Sequence, residues 1–332
     1  MRKSRYYPED ISIVIPTYNS ENTIDDLMRS ILSQKRQSGE IIIVDDCSTD
    51  RTVQIIEKYS VKIIINEKNR GAATSRNSGV REAKGDIILF LDSDTYLMPG
   101  AIDAVLNGFN ENQSINAQNG VCLSDPLNRG WCPLYKGLLE SSWSEHSVNW
   151  DDKGKCINAR IGAIVKSSIL EFGGFDEGYV KASVEDHEFG IRYTKKYKIH
   201  QNKGLRVRHH FPEFLQTVKN YWQRTHGIMD LMASQKESVL DSGGVSQNSA
   251  LEYLIGASLF FLLPLSFFHL YLFYIWMLVL FLFIYFARKA LKRMVSRGVV
   301  FGIFSSVLHA FYGLIITSSA SVYYLKRFLR SS

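Results

Sequence analysis

The chain has 332 residues, a formal net charge of +6 and 45% hydrophobic residues, room for one large domain or two smaller ones. Much of the positive excess sits in Arg288, Lys289, Lys292, Arg293, Arg297, Lys326, Arg327 and Arg330, beside long apolar runs. There it reads as flanking charge facing anionic membrane lipid. With no helix-turn-helix, zinc-finger or RNA-binding signature, it argues against a nucleic-acid partner.

The predicted elements begin with residues 11–15, a short buried strand ended by Pro16. Residues 21–34 show helical spacing through Ile24, Leu27, Ile31 and Leu32. Residues 40–44 form a second apolar strand, stopped by Asp45 and Asp46. Asp50 reads as the N-cap of a helix through Val53, Ile56 and Tyr59. A third strand follows at 61–65, a helix at 72–83 and a fourth strand at 86–91. Strands alternating with helices predict a parallel sheet with helices on both faces, and ligands gather beyond the carboxyl ends of such strands. Pro16, Thr17, Tyr18 and Asn19, then Asp45 and Asp46, then Asp92, Ser93 and Asp94 all lie at those ends and are expected to converge. Further on, 117–123 and 158–165 read as strands, 183–197 as a helix, 205–207 as a short strand and 211–236 as one or two helices. Residues 126–150, aromatic and polar, read as an acceptor-side surface or a helix near the membrane. There is no internal repeat.

The first ten residues are polar and lack the apolar core of a signal peptide, so the anchor is expected in the C-terminal segments. Residues 1–237 are expected to form the soluble domain, and the Ser/Gly-rich stretch 238–249 a linker. Residues 250–287 exceed one span of about 20 residues and read as a transmembrane hairpin turning near 266–271. The basic stretch 288–298 then returns to the cytoplasmic side as a loop. Residues 299–325 either cross or lie in the interface. Crossing would leave Lys326, Arg327 and Arg330 outside, against the positive-inside tendency; lying flat keeps them inside and turns the serines to the headgroups. The expectation is a multi-pass protein of the cell membrane with its soluble domain in the cytoplasm. Four cysteines, Cys47, Cys122, Cys132 and Cys156, form no C-x-x-C pair, which fits a reducing compartment better than a zinc or dithiol site.

Asp92-Ser93-Asp94 is the strongest chemical signal. Two carboxylates flanking one residue at a strand end can approach one hard cation, and Mg2+ or Mn2+ prefers oxygen ligands together with substrate phosphates. Asp45 and Asp46 add a second acidic strand end, able to accept hydrogen bonds from a nucleobase imide or ribose; a plain turn into the helix capped by Asp50 is the alternative. Tyr18 can stack on a base. Residues 69–71 and 76–79 enter the third helix, whose N-terminus, with Arg76, suits a diphosphate. Glu185 and Asp186 open a helix, where a carboxylate can take a proton from an acceptor hydroxyl or simply complement the dipole. His209 is a possible third metal ligand, although a surface His pair with His210 would look the same.

Taken in order, these pieces resemble the inverting glycosyltransferases of family 2, which have the GT-A fold. The resemblance is carried by residues 11–19, by 41–50, by Asn69-Arg70-Gly71 with Ala73, Arg76, Asn77 and Gly79, and by Gly85-Asp86 leading to residues 91–94. It is completed by Gly173-Gly174-Phe175-Asp176-Glu177 with Glu185, Asp186, Glu188, Gly190 and Arg192. It implies a nucleotide-sugar donor, UDP- or GDP-linked, and a divalent metal, Mg2+ or Mn2+. By position, Tyr18, Asp46 and Arg76 resemble nucleotide contacts, with Asp45 beside them. Asp92 resembles a ribose or metal contact, Asp94 the principal metal ligand, Asp186 the general base and His209 a residue completing the metal shell. Processive members carry Q-x-x-R-W after the base; here Tyr221-Trp222-Gln223-Arg224 has the same residue types in another order, which favours transfer of one sugar. The apolar hairpin is similar to that of members acting on lipid-linked acceptors. Two other protein classes share parts of this pattern. A nucleotidyltransferase of similar fold would carry a Gly-rich basic loop where this chain has 16–20. A membrane scaffold with an inactive transferase domain would be expected to have lost Asp94 or Asp186.

Overall fold

A computed structural model describes residues 3–146, 156–179, 184–234 and 247–331. The linker expected at 238–249 lies outside the described residues up to residue 246. The chain forms two compact units: Met1–Asn128 with Ser144–His210, and Arg129–Trp143 with Phe211–Ser332.

The first unit opens with a short 3-10 turn, Pro8–Asp10, and continues through β1 (Ile11–Thr17), α1 (Ile24–Leu32), β2 (Glu40–Asp45), α2 (Thr52–Ile56), β3 (Lys62–Ile65), α3 (Ala72–Glu82) and β4 (Ile87–Leu91). β5 (Thr95–Leu97), α4 (Ala101–Glu111), β6 (Ala117–Cys122) and, after α5 (Trp131–His146), β7 (Ile161–Val165), α6 (Lys166–Glu171), α7 (Glu185–Tyr193) and β8 (Ile199–His209) complete it. The eight strands form one sheet in the order β3-β2-β1-β4-β7-β6-β8-β5.

β3, β2, β1 and β4 pair in parallel, as the alternation of strand and helix predicts. The second half differs. β7 runs antiparallel to both β4 and β6, and β5 antiparallel to β8, while β6 and β8 are parallel. A parallel neighbour needs a helical return to the same end of the sheet, and the regular alternation stops after β4. The sheet is therefore mixed rather than wholly parallel.

β1, β4 and most of β2 are buried on both faces, which is why they read as continuous apolar runs, whereas β3 at the sheet edge is not. Val14, Ile42, Val44, Ile88 and Phe90 pack with Ala73 and Val80 of α3 and with Phe189 and Tyr193 of α7. Gly79 permits the close approach of α3 to β1: a Cβ there would stand 2.3 Å from a Val14 methyl. The same packing places the α3 residues that follow Gly71 behind the carboxyl ends of β1, β2 and β4.

The second unit is helical: α5, α8 (Phe214–Ser234), α9 (Gln247–Ser266), α10 (Leu270–Val295) and α11 (Val299–Ser331). Three of its helices are long and apolar enough to cross a membrane, at Ser249–Ser266, Leu270–Val295 and Val299–Leu329. α9 and α10 meet at the expected turn. The basic stretch is not a loop along its length, because residues 288–295 continue α10; alternating Arg and Lys with Leu291 and Met294 keeps an apolar face that packs inside the unit. Tyr135, Leu138 and Leu139 of α5 join Phe283, Ala287 and Met294 of α10 and Leu308 and Tyr312 of α11 in one buried cluster.

α11 packs lengthwise on α8. The Phe214 and Phe311 rings are 5.6 Å apart, Ser319 Oγ donates to the Trp222 carbonyl at 2.8 Å, and Tyr323 Oη donates to Asp230 Oδ1 at 2.7 Å. Ser305 and Ser319, two of the serines that an interfacial helix could turn to headgroups, are fully buried. They lie on the face of α11 that meets its neighbours, together with buried His309 and Tyr312.

Candidate active site

The carboxyl ends of β1, β2 and β4 carry the residues that the sequence singled out. Pro16 and Thr17 finish β1 in register with Val44 and Asp45. Tyr18 follows with its ring 48% exposed, open to a stacking partner. Asn19 has a positive φ of 48°. Its Oδ1 accepts from the Thr49 amide at 2.8 Å, and its own amide donates to Ser48 Oγ at 2.9 Å. That stitches the loop after β1 to the loop after β2.

Asp45 and Asp46 are both buried, and the chain itself satisfies them. Asp45 accepts from the Ser48 amide at 2.9 Å and from the Ser48 hydroxyl. Asp46 Oδ1 accepts from Asn66 Nδ2 at 2.8 Å and the Arg70 amide at 2.9 Å, and its Oδ2 from the Gly71 amide at 2.7 Å. Asp46 thus holds the start of α3 against the end of β2. Asp50 accepts from the Thr52 amide at 3.0 Å, although the residue in the cap position is Arg51.

Arg76, on the buried face of α3, reaches two acids from distant parts of the chain. One guanidinium nitrogen donates to Asp92 Oδ1 and another to Glu185 Oε1, each at 2.8 Å. The guanidinium also lies 5.6 Å from the centre of the Phe175 ring. Burial alone would favour the neutral arginine, but the two facing carboxylates override it and raise its pKa. Arg160 adds a second cation 3.9 Å from Asp92 Oδ2.

The acids of the D-S-D run therefore part company. Asp92 turns to the arginines. Asp94 faces His209, across the β5–β8 pairing, with Oδ1 3.1 Å from Nε2. Burial acts to raise the Asp94 carboxyl, but His209 and then Arg160 hold it below the usual carboxylate range. The Asp94 carbonyl accepts from the His210 amide at 2.8 Å, so the turn after β4 and the end of β8 are fixed to each other. Between the acids, Ser93 Oγ meets Ser20 Oγ at 2.8 Å, joining the β4 end to the β1 loop.

Glu185 and Asp186 open α7 and differ in the same way. Glu185 is buried and neutralised by Arg76. Asp186 is half-buried, and its Oδ1 accepts only from the neighbouring His187 amide, at 2.9 Å, among the described partners.

Sequence reasoning gave no role to Asn77, one residue beyond Arg76. It accepts from the Phe175 amide at 2.9 Å and donates to the Phe175 carbonyl at 2.8 Å. Gly174, at φ +76°, leaves room for it; a Cβ there would be 2.4 Å from Asn77 Oδ1. Arg192 then ties Gly174 to Glu188, donating to the Gly174 carbonyl at 2.8 Å and to Glu188 Oε2 at 2.8 Å. The G-G-F run and the Glu188/Arg192 spacing were the legible signal. Arg160 left none.

A half-parallel sheet whose first strands end in these loops, followed by an acidic turn and a mixed extension, defines an α/β domain of the GT-A fold. The likeness extends to the mannosyltransferase PcManGT from Pyrobaculum calidifontis, solved with GDP-Man and Mn2+, at a TM-score of 0.55 and 14% identity over 96% of this chain and 88% of that one. Residues 12–171 match the family described as Glycosyl transferase family 2. An uncharacterized glycosyltransferase of Haemophilus influenzae is 33% identical over 203 residues, 58% of this chain and 66% of that protein. The poly(ribitol-phosphate) beta-N-acetylglucosaminyltransferase TarS of Staphylococcus aureus is 42% identical over 93 residues, 26% of this chain and 16% of TarS.

The ion-pair geometry predicts that Arg76→Met lowers stability by about 3–5 kcal/mol, because it strands a buried Glu185 and an Asp92 at once. The check is the unfolding midpoint of the purified, detergent-solubilised protein; a midpoint unchanged from wild type would show the pair to be energetically idle.

Proposed function

We propose that this chain transfers a single sugar, with inversion, from a UDP- or GDP-linked donor to a lipid-linked or other membrane-associated acceptor, with Mg2+ or Mn2+ bound at Asp94 and His209. The observation that carries it is the division of labour at the start of α7. Glu185 is locked to Arg76, whereas the adjacent Asp186 is half-buried and uncommitted to any cation among its described hydrogen bonds. In such a pair the uncommitted carboxylate is the one able to accept a proton from an acceptor hydroxyl. The freed oxygen then attacks the anomeric carbon from the face opposite the diphosphate, and the single displacement inverts it.

Asp94 and His209 suit a divalent ion. Asp94 Oδ1 is buried with no hydrogen bond, 3.1 Å from an imidazole nitrogen, an oxygen and nitrogen pair that a divalent cation accepts. Bound there, such an ion supplies charge neutralisation for the leaving diphosphate. Tyr18 offers the donor base an exposed ring, and Arg76 holds Asp92 and Glu185 where the loops meet. The GDP-Man held by PcManGT agrees with a nucleotide-sugar donor and leaves open which base and sugar this chain uses.

The catalytic unit is placed in the cytoplasm, with α9 and α10 as a membrane hairpin and the basic end of α10 on the same side as the catalytic unit. α11 is read as interfacial. It packs along α8, which carries Lys219, Arg224 and Asp230, and those charges are too costly to draw into the hydrocarbon core. This arrangement brings the acceptor's membrane surface to the chain that must use it.

Three measurements test the reading. Asp186→Asn, nearly isosteric but unable to take a proton, should slow turnover by ~10²–10⁴ while nucleotide binding persists. Loss of activity in Glu185→Gln but not in Asp186→Asn would name the wrong member of the pair. Asp94→Ala, or EDTA on the wild type, should abolish turnover of a nucleotide sugar; an inactive scaffold would turn over nothing at all, and undiminished activity in EDTA rejects the metal. Finally, a Ser331→Cys variant should resist an impermeant thiol reagent in intact cells and label after lysis; strong labelling before lysis means that α11 crosses.

A further inference from the structure

The start of α7 carries more than a base. Asp186 and His187 are consecutive, and Cys156 comes close to both: one ligand atom from each of the three lies within 4.8 Å of the others. Cys156 is buried, while Asp186 and His187 are half-buried, so the group opens to solvent on the carboxylate and imidazole side. The backbone that presents the thiol is anchored. Asn119 Nδ2 donates to the Cys156 carbonyl at 2.9 Å, and Asn119 Oδ1 accepts from the Asn158 amide at 2.9 Å.

We infer that Cys156, Asp186 and His187 form a second cation site, selective for a soft divalent ion such as Zn2+, which shuts off transfer when filled. The donor chemistry separates it from Asp94 and His209. Thiolate, imidazole and carboxylate are each zinc ligands, and three protein ligands leave the fourth position of a tetrahedral site open. A sulfur ligand disfavours Mg2+ and Mn2+, which seek oxygen. With metal–ligand distances of about 2.0–2.3 Å, ligand atoms in such a site stand roughly 3.3–3.8 Å apart. The three side chains therefore need only rotate inward by an ångström or so, and the two half-buried ones have room to do it. Binding displaces the thiol proton to solvent and occupies the Asp186 oxygen that would otherwise accept the acceptor's proton. The shut-off rests on the reading of Asp186 as the base; the site itself does not.

The test uses the full chain in detergent. Co2+, a spectroscopic stand-in for Zn2+, is titrated in one arm, and nucleotide-sugar turnover in saturating Mn2+ is titrated with Zn2+ in the other. One Co2+ should bind with a thiolate-to-cobalt charge-transfer absorption that Zn2+ abolishes. Cys156→Ser should lose that absorption, keep its Mn2+-supported turnover, and need at least tenfold more Zn2+ for inhibition; His187→Gln should weaken Co2+ binding about tenfold. Absence of a thiolate band, or a band unchanged in Cys156→Ser, overturns the site. A band with turnover indifferent to Zn2+ overturns the shut-off. Inhibition equal in wild type and both variants places the zinc elsewhere, at Asp94 and His209, and also overturns the proposal. If no donor turns over even without zinc, the transferase reading has failed, and the cobalt spectrum still decides the site.

Discussion

One buried guanidinium organises the catalytic unit. Arg76 has 5% of its side chain exposed and bridges Asp92, 16 residues away, and Glu185, 109 residues away. Desolvating a charge is expensive unless its partners and geometry are good. Here two carboxylates and the Phe175 ring meet it. The pairing fixes the end of β4 and the start of α7 to the same turn of α3. Asn77, the next residue, holds Phe175, and Arg192 holds Gly174, so the segment leading into α7 is fastened from both sides. The residue that follows Glu185 is thereby placed, its carboxylate accepting from the His187 amide at 2.9 Å.

The same economy runs through the other acids. The site gathers Asp45, Asp46, Asp92, Asp94, Glu185 and Asp186, a density of negative charge that would repel itself if every member stayed free. Backbone amides take up Asp45 and Asp46. Arginines take up Asp92 and Glu185. Asp94 leans on His209. Among the described residues Asp186 accepts from the His187 amide alone, and Asp94 Oδ1, 3.1 Å from His209 Nε2, accepts no hydrogen bond.

The first half of the fold was legible because β1, β2 and β4 are buried on both faces and read as apolar runs, each ended by a proline or an acid. The second half was not. β5 has three residues, β8 alternates weakly, and α4 follows Gly100 without a recognisable cap. Nothing in the composition marks where parallel pairing gives way to antiparallel. For the site, residue types and order pointed to Asp94, Asp186 and Arg76. The partners did not follow from sequence, because an ion pair across 109 residues is a product of packing alone. Asp45 and Asp46 show the converse: their acidity was obvious, while their use by neighbouring amides depends on loop geometry. The burial of Ser305 and Ser319 was not legible because a serine facing a tightly packed helix and one facing headgroups look alike in a list of residues.

α5 carries a consequence for how the protein is made. It lies between strands of the catalytic unit, yet Tyr135 hydrogen-bonds His309 Nδ1 at 2.6 Å, 174 residues later in the chain. A ribosome adding about 5–20 residues per second needs roughly 10–35 s to deliver that partner. Through that interval Tyr135 lacks this partner, although α8 reaches α5 earlier, Tyr221 Oη accepting from Lys136 Nζ at 3.0 Å. α5 therefore completes its packing only after helices long and apolar enough to cross a membrane have followed it from the ribosome.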